Sequence, residues 1–159
     1  MSQKTENIYP LLSNVIIYSF FQKIMSGTSF RKKIVKKYIT RKNIKVLDIG
    51  CGPAEILNSL PSVKYYGYDI NPTYIKYAKN RYKERGEFYC KKFTIKDIKK
   101  LPKFDYVLLL GILHHLNDKE IKNLMILIKK ILKRKGSIIT TDPVFIKNQN
   151  PIAKFIIKK

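Results

Sequence analysis

The sequence predicts an α/β fold built on a doubly wound, mostly parallel sheet. Short apolar runs alternate with helical patterns from Asn43 onward, and a glycine-rich turn directly follows the first of these runs. This alternation is typical of parallel strands, because a right-handed crossover helix returns the chain to the same end of the next strand. The chain has 159 residues, the size of one domain. We therefore expect one structural unit with helices on both faces of the sheet.

Residues 1–42 are predicted to form an N-terminal helical cap, and residues 43–159 the sheet domain. Within the cap, apolar side chains recur at helical spacing with arginine and lysine on the other faces, which indicates a solvated basic face. These apolar residues are Phe30, Ile34, Val35, Tyr38 and Ile39. The earlier segment Ile8–Met25 is too short and too polar to span a bilayer, and no small-residue cleavage site follows it. It is interpreted as an amphipathic helix packed on the domain.

Five strands are predicted from apolar runs that end at turn residues. A short apolar run followed directly by glycine is typical of a buried strand. In chain order the strands are Ile44–Ile49, Val63–Ile70, Phe88–Lys92, Phe104–Leu110 and Ser137–Thr141.

Capping residues predict the helices between these strands. Pro53 stands where a helix over Ala54–Leu60 begins. Asn71-Pro72 supplies an N-cap and a first-turn proline for a helix that runs to about Arg85.

The last helix has a second kind of start signal. Asn117 and Glu120 form a capping box at its start, and Gly136 is expected to end it. Its apolar face contains Ile121, Leu124, Met125, Ile128, Ile131 and Leu132.

The turn after the first strand carries the chemical signal. Gly50 and Gly52 allow a sharp turn and close approach of a ligand, and Asp69 at the end of the second strand can accept hydrogen bonds from two ribose hydroxyls. However, Glu55 stands where a dinucleotide fingerprint requires its third glycine, and Asp48 and Glu55 would repel a pyrophosphate. Carboxylates at this loop suit an ammonium and a sulfonium, which favours S-adenosylmethionine over NAD.

Four motifs in the expected order resemble the class I S-adenosylmethionine-dependent methyltransferases. Val46–Pro53 (VLDIGCGP) is similar to that family's first motif, and Tyr68–Ile70 to its second-strand motif. Phe104–Val107 with Gly111–Leu116 resembles the fourth strand and its turn, and Leu132–Ser137 the turn before the fifth strand. The resemblance covers residues 43 to about 143 and implies a Rossmann-like methyltransferase fold, here expected without the family's usual last two strands.

The resemblance also implies a set of cofactor-binding residues. Asp48, Gly50, Cys51 and Gly52 would surround the methionine part of S-adenosylmethionine, with Cys51 contributing its backbone. Asp69 and Ile70 would contact the ribose and adenine, and Gly111 lies in the turn after the fourth strand. Many relatives carry an acid near the adenine amino group after the third strand, but that place falls at Lys92 here, and Asp97 is the nearest acid. Asp97 is therefore the candidate for this contact.

His114 and His115 are the candidates for proton handling. They lie in the turn after the fourth strand, where the resembling family places its acceptor pocket, and histidine is a frequent general base. The alternative is that the pair only shapes the turn and packs the following helix. No third ligand lies nearby in sequence, so no metal site is predicted.

The acceptor is expected to be a small molecule, a sugar or a lipid-like compound. Asn71–Tyr74 resembles an adenine-methylating motif but lies after the wrong strand, and neither cysteine is placed for cytosine methylation. Two alternatives stay open: a methyltransferase-like domain that binds cofactor or a partner without turnover, and an RNA methyltransferase that uses its lysine surface.

The charge of the chain bears on its partners. Lysine and arginine number 33 against 11 acids, a formal charge of +22, but only five of the basic residues are arginine, the side chain that recognises phosphate in bidentate fashion. Nucleic acid is thus a less favoured partner. Contact with an anionic membrane surface and a homodimer through the open sheet edge are further candidates. Two cysteines without a disulfide or metal pattern predict a cytoplasmic protein.

Overall fold

The computed structural model describes residues 27–142, and side chains from Ser29 onward. Within this range all strands pair in parallel, in the order β3-β2-β1-β4-β5. The strands are β1 (Lys45–Ile49), β2 (Lys64–Asp69), β3 (Gly86–Cys90), β4 (Phe104–Leu110) and β5 (Leu132–Thr141). The predicted doubly wound α/β fold is confirmed. Expectations for the segment Ile8–Met25 and for the residues beyond 142 lie outside the described residues.

Helices cover both faces of the sheet. The α-helices are α1 (Gly27–Tyr38), α2 (Pro72–Tyr82), α3 (Ile95–Ile98) and α4 (Asp118–Ile131), and short 3-10 helices span Glu55–Ser59, Lys83–Arg85 and Leu113–His115. No helix in the described part of the chain is long and apolar enough to cross a membrane.

Side chains on opposite faces of the strands build two cores. Val46 of β1 packs in a cluster with Val35 and Ile39 of the α1 side, whereas the next residue, Leu47, packs with Leu124 and Ile128 of α4. This separation follows from the pleat of a strand, in which successive side chains point to opposite faces. Of the five apolar residues in this helical pattern, Val35 and Ile39 are almost fully buried, whereas Phe30 and Tyr38 are 57% and 54% exposed. The predicted apolar face of this helix is therefore only partly buried.

The predicted capping signals are present in the structure. Oδ1 of Asn71 accepts hydrogen bonds from the backbone N–H groups of Thr73 and Tyr74, at 2.9 and 3.3 Å. Asn117 and Glu120 exchange side-chain to backbone hydrogen bonds of 3.0 and 3.1 Å at the start of α4. Both helices therefore begin where the sequence predicts, because a cap depends on residues a few positions apart.

Two helix predictions are wrong. The α-helix expected over Ala54–Leu60 is only a five-residue 3-10 helix, preceded by Ala54 in the left-handed region with φ 57°. The last helix ends at Ile131 rather than at Gly136, because Leu132 already pairs with Phe104 of β4. Pairing resumes at Ser137 after an irregularity in register, and Gly136 lies inside β5.

The topology brings the predicted motifs to one edge of the sheet. Strand order reverses between β1 and β4, which are neighbours although two strands separate them in sequence. In open parallel sheets, ligands bind outside the carboxyl ends of the strands at such a reversal. The loops after β1, β2 and β4 all lie at this edge.

Candidate functional site

The glycine loop after β1 is folded onto the end of β2. Gly50 and Cys51 donate their backbone N–H groups to the carbonyl oxygen of Tyr68, at 2.8 and 3.0 Å. Gly50 has φ +75°, and a Cβ added there would lie 2.7 Å from Cδ1 of Ile112. Because a side chain at Gly50 would meet both strain and a clash, this position requires glycine.

Asp69 connects β2 to the same loop. Its Oδ2 accepts a hydrogen bond from the N–H of Gly52 at 2.8 Å, and its Oδ1 one from the N–H of Asn71, also at 2.8 Å. A carboxylate oxygen can accept more than one hydrogen bond, so the half-buried Asp69 retains acceptor capacity. The neighbouring Ile70 is 75% exposed, an unusual state for a large apolar side chain that follows a strand.

Asp48 is a buried carboxylate with one unpartnered oxygen. Tyr65 donates a 2.6 Å hydrogen bond to Oδ2, but Oδ1 is buried without a hydrogen-bond partner among residues 27–142. Burial raises the pKa of Asp48 to about 7, and the negative charge of Asp69 adds to this rise. The hydrogen bond from Tyr65 and the positive charge of Arg31 act in the opposite direction. An unpartnered acceptor of this kind is costly in a protein interior, and a cationic group bound beside it would relieve that cost.

The thiol of Cys51 is buried beside the glycine loop. This burial raises the pKa of the thiol well above its usual value. The backbone N–H of Cys51 already donates to the carbonyl oxygen of Tyr68. The backbone of Cys51 therefore helps to fix the shape of the loop.

Asp97 is engaged within the protein. Its Oδ2 accepts hydrogen bonds from the backbone and hydroxyl of Thr94, and its Oδ1 from Lys91 and Tyr68. Burial alone would raise the pKa of Asp97, but the bonds from Lys91 and Thr94 outweigh it and lower the pKa. With only 3% of the residue exposed, this geometry favours a capping role in α3 over the predicted contact with adenine.

A mostly apolar cleft of about 200 Å³ lies between the turn after β4, helix α4 and the loop after β3. An ion pair of 3.0 Å between Lys92 and Glu120 belongs to its lining. The other lining residues are Ile49, Phe93, Ile112, Leu116, Asn123, Leu124 and Leu127. Lys92 lies at the position where many members of the resembling family carry an acid. Its positive charge is paired with the carboxylate of Glu120 in α4.

Gly111 and Arg31 meet at the turn after β4. Gly111 has φ +81° and donates its N–H to the carbonyl of Thr141 at 2.6 Å. A Cβ added to Gly111 would lie 2.9 Å from Cζ of Arg31 and closer still to Nη2, so the guanidinium of α1 lies directly against this glycine. The sequence pattern placed Arg31 on the solvated face of its helix, but the side chain is half-buried and lies against this turn.

His114 and Asp142 form a pair that sequence reasoning did not find. Nδ1 of His114 lies 2.9 Å from Oδ1 of Asp142, which also accepts the backbone N–H of His114 at 3.2 Å. The two residues are 28 positions apart and meet because β4 and β5 are neighbours. The only sequence signal was an acid directly after the fifth strand. The ring of His115 lies 3.9 Å from that of His114, measured between centroids.

Metal binding has no counterpart in this geometry. No group of three or more His, Cys, Asp or Glu side chains that could hold a metal ion occurs within residues 27–142.

Comparison with known proteins assigns the class. The sequence profile of a family described as a methyltransferase domain matches residues 40–157, most of the chain. The chain therefore belongs to this family, and it is an S-adenosylmethionine-dependent methyltransferase domain, as the motifs predicted. The comparison with curated protein sequences gave no match.

Solved structures share the fold. The chain is 18% identical to a TehB-like S-adenosylmethionine-dependent methyltransferase from Corynebacterium glutamicum, covering 81% of this chain and 72% of that one, with a TM-score of 0.59. It is 18% identical to the mitomycin 7-O-methyltransferase MmcR, covering 93% and 46%, with a TM-score of 0.63. A methyltransferase from Thiobacillus denitrificans in complex with S-adenosyl-L-homocysteine is 16% identical over 69% and 46%, with a TM-score of 0.55. The chain thus spans about half the length of the latter two, and at these identities the likeness shows the fold.

The residues present fit the cofactor of this family. Asp48 offers a buried oxygen without a partner among residues 27–142, and Asp69 holds the loop beside it with acceptor capacity to spare. These are the groups that an ammonium and a ribose require.

Proposed function

We propose that this domain methylates a hydroxyl group on a small-molecule, sugar or lipid-like acceptor. One observation carries this proposal: the 2.9 Å contact between Nδ1 of His114 and Oδ1 of Asp142. An imidazole that is held through one nitrogen by a carboxylate presents the other nitrogen as a general base. A hydroxyl needs such a base because it must lose its proton as the bond to carbon forms.

The cofactor supplies the electrophile, a methyl group on a positively charged sulfur. His114 would accept the hydroxyl proton at Nε2 while the acceptor oxygen receives the methyl group that the bound cofactor supplies. The sulfonium would leave as a neutral thioether. Asp142 keeps the ring in the orientation and tautomer that leave Nε2 available. His115 is proposed to support His114 through the ring contact.

The binding residues are assigned by the same proposal. Asp48 would hold the ammonium of the methionine part of the cofactor. The walls of this part of the pocket would be formed by Gly50, Cys51, Gly52 and Gly111. Asp69 would accept the ribose hydroxyls, and the exposed Ile70 would cover the adenine. The adenine would bind in the cleft beside Lys92 and Phe93, because the lining of this cleft is mostly apolar.

The excess of basic residues, 33 against 11 acids, favours RNA as a second candidate acceptor. Both candidates share the cofactor site and differ in the acceptor.

Transfer of labelled methyl from S-adenosylmethionine to a cell extract tests the proposal. The extract is sorted afterwards into small-molecule, lipid, RNA and protein fractions. We expect label in the small-molecule or lipid fraction, and at least a hundredfold lower rate with His114→Gln, while S-adenosylhomocysteine binds that variant normally. His115→Gln is the comparison variant and should lose less. Label in RNA selects the second candidate. Cofactor binding without label in any fraction, or full activity of His114→Gln, overturns the proposal.

A further inference from the structure

Helix α1 places one positive charge at the ligand edge of the sheet. Arg31 lies on the helix that packs over the sheet through Val35 and Ile39. Its guanidinium rests against Gly111 in the turn after β4, so closely that a Cβ added there would lie 2.9 Å from Cζ. Its charge also reaches Asp48, whose pKa it lowers. Arg31 is thus near the ends of both β1 and β4, the two strands that flank the point of reversal.

Asp48, whose pKa the charge of Arg31 lowers, has a second acid close to it. Asp48 and Asp69 interact with each other closely enough for the charge of Asp69 to raise the pKa of Asp48. Two carboxylates suit the ammonium and the ribose, but the amino-acid end of the cofactor also carries a carboxylate. Beside Asp48 and Asp69 alone that carboxylate would be repelled, so the site needs a cation on the same side.

We propose that Arg31 binds the carboxylate of the cofactor's methionine part, opposite the ammonium at Asp48. This inference rests on the proposed cofactor site and adds to it a residue from α1. A guanidinium presents parallel N–H donors that match a carboxylate in bidentate fashion, which a lysine ammonium does not. Arginine stands at this position although lysine dominates the rest of the helix, GTSFRKKIVKKY.

The backbone conformation at Gly111 favours glycine, and the absence of a side chain lets the guanidinium lie close to it. A methyl group at Gly111 would displace the guanidinium, in addition to straining a residue with φ +81°. The turn after β4 and helix α1 therefore form one wall of the proposed pocket, in which a backbone surface supports the cation.

Binding of two ligands by calorimetry tests this assignment. One is S-adenosylhomocysteine, and the other is its decarboxylated analogue, which keeps the ammonium and the nucleoside. The wild-type domain should bind the analogue about tenfold or more weakly than S-adenosylhomocysteine, the range of one charged hydrogen-bonded contact. Arg31→Ala should bind both ligands with nearly equal affinity. Arg31→Lys should recover only part of the discrimination.

The controls separate this role from others. Lys32→Ala removes an equal charge from the next residue of α1 and should retain wild-type discrimination. Circular dichroism and thermal unfolding check that each variant is folded; if Arg31→Ala is not, Arg31→Lys and Arg31→Gln carry the comparison. If Arg31 acts only through the charge on Asp48, Arg31→Ala weakens both ligands equally, and the assignment is overturned. If the wild-type domain binds neither ligand, the proposed function itself fails.

Discussion

Gly52 donates its backbone N–H to Oδ2 of Asp69 across 2.8 Å, although 17 positions separate the two residues. The acid at the end of β2 therefore fixes the glycine loop after β1. Because the same carboxylate also accepts the N–H of Asn71, it connects the loop, the strand and the start of α2.

This bond predicts a loss of cofactor binding on mutation of Asp69. Asp69→Ala removes the proposed ribose acceptor and leaves the N–H of Gly52 without its partner, so the affinity for S-adenosylhomocysteine should fall by more than about tenfold. Isothermal calorimetry measures the change. Asp118→Ala removes an exposed carboxylate from the first turn of α4 and should bind like wild type. An unchanged affinity in Asp69→Ala would remove this residue from the site.

The buried Asp48 predicts an unusual dependence of stability on pH. The pKa of Asp48 is raised to about 7 in the folded protein, against 3.8 when exposed. Between these values the folded chain holds a proton that the unfolded chain has lost, so the contribution of Asp48 to the free energy of unfolding falls as the pH rises. The whole effect is roughly 4 kcal/mol at 1.36 kcal/mol per pKa unit.

Asp48→Asn cannot ionise and can still accept the hydrogen bond from Tyr65. In the absence of ligand it should be more stable than wild type above pH 7 and similar to it near pH 4. Urea unfolding at pH 4.5 and 8.5 measures both differences. A difference that does not change with pH would mean that Asp48 is charged throughout.

Asp105 should behave in the opposite way. It accepts hydrogen bonds from the backbone of Lys45 at 2.9 Å and from Nζ of Lys133 at 2.8 Å, and lies 3.7 Å from Arg41. Burial alone would raise the pKa of Asp105, but these partners lower it. The resulting stability is present above the pKa of the unfolded chain and is lost as the pH falls through the folded value.

Asp105→Asn should lower the free energy of unfolding by about 1–3 kcal/mol at pH 7, with a smaller difference below pH 4. Asp105 lies near the start of β4, away from the ligand edge, so the variant should keep its affinity for S-adenosylhomocysteine. Urea unfolding and calorimetry on the same preparation check the two statements. Equal stability at pH 7 would show that the ion pairs contribute nothing.

The pair of His114 and Asp142 predicts non-additive kinetics. Asp142→Ala removes the group that orients the imidazole, so kcat should fall at least about tenfold with little change in cofactor affinity. In the double variant with His114→Gln, Asp142→Ala should cost almost nothing further, because the ring it positions is gone. Thr140→Ala, which removes a 3.2 Å contact to Oδ2 of Asp142, is the milder control. Additive losses in the double variant would mean that Asp142 acts independently of His114.

Local signals explain what the sequence predicted well. Asn71 and the Asn117–Glu120 box act within one helical turn, and both are confirmed. Strand β4 has the predicted bounds, because its apolar run is buried on both faces. The prediction was wrong where pairing with a distant strand sets the boundary of an element. Pairing with β4 starts β5 at Leu132, although the local pattern continued the helix to Gly136.

The site shows the same division between local and distant contacts. The glycine loop and Asp69 belong to motifs that can be read along the chain. Arg31 and Asp142 could not be placed, because each meets its partner only through the packing of α1 on the sheet or of β5 beside β4. Asp97 was a reasonable candidate by position, but its own capping box and Lys91 occupy its oxygens.

The chain has a formal charge of +22, but carboxylates lie at the ligand edge of the sheet, and this contrast affects how cofactor binding depends on ionic strength. S-adenosylmethionine carries one net positive charge, so the long-range field of the protein opposes its approach while Asp48 and Asp69 attract it at short range. Salt screens charges separated by more than about 8 Å at physiological strength and affects buried contacts far less. Added salt should therefore tighten binding of the methyl donor relative to its product, which has no net charge, whereas binding of any polyanion should weaken. Product inhibition would be most severe in dilute buffer.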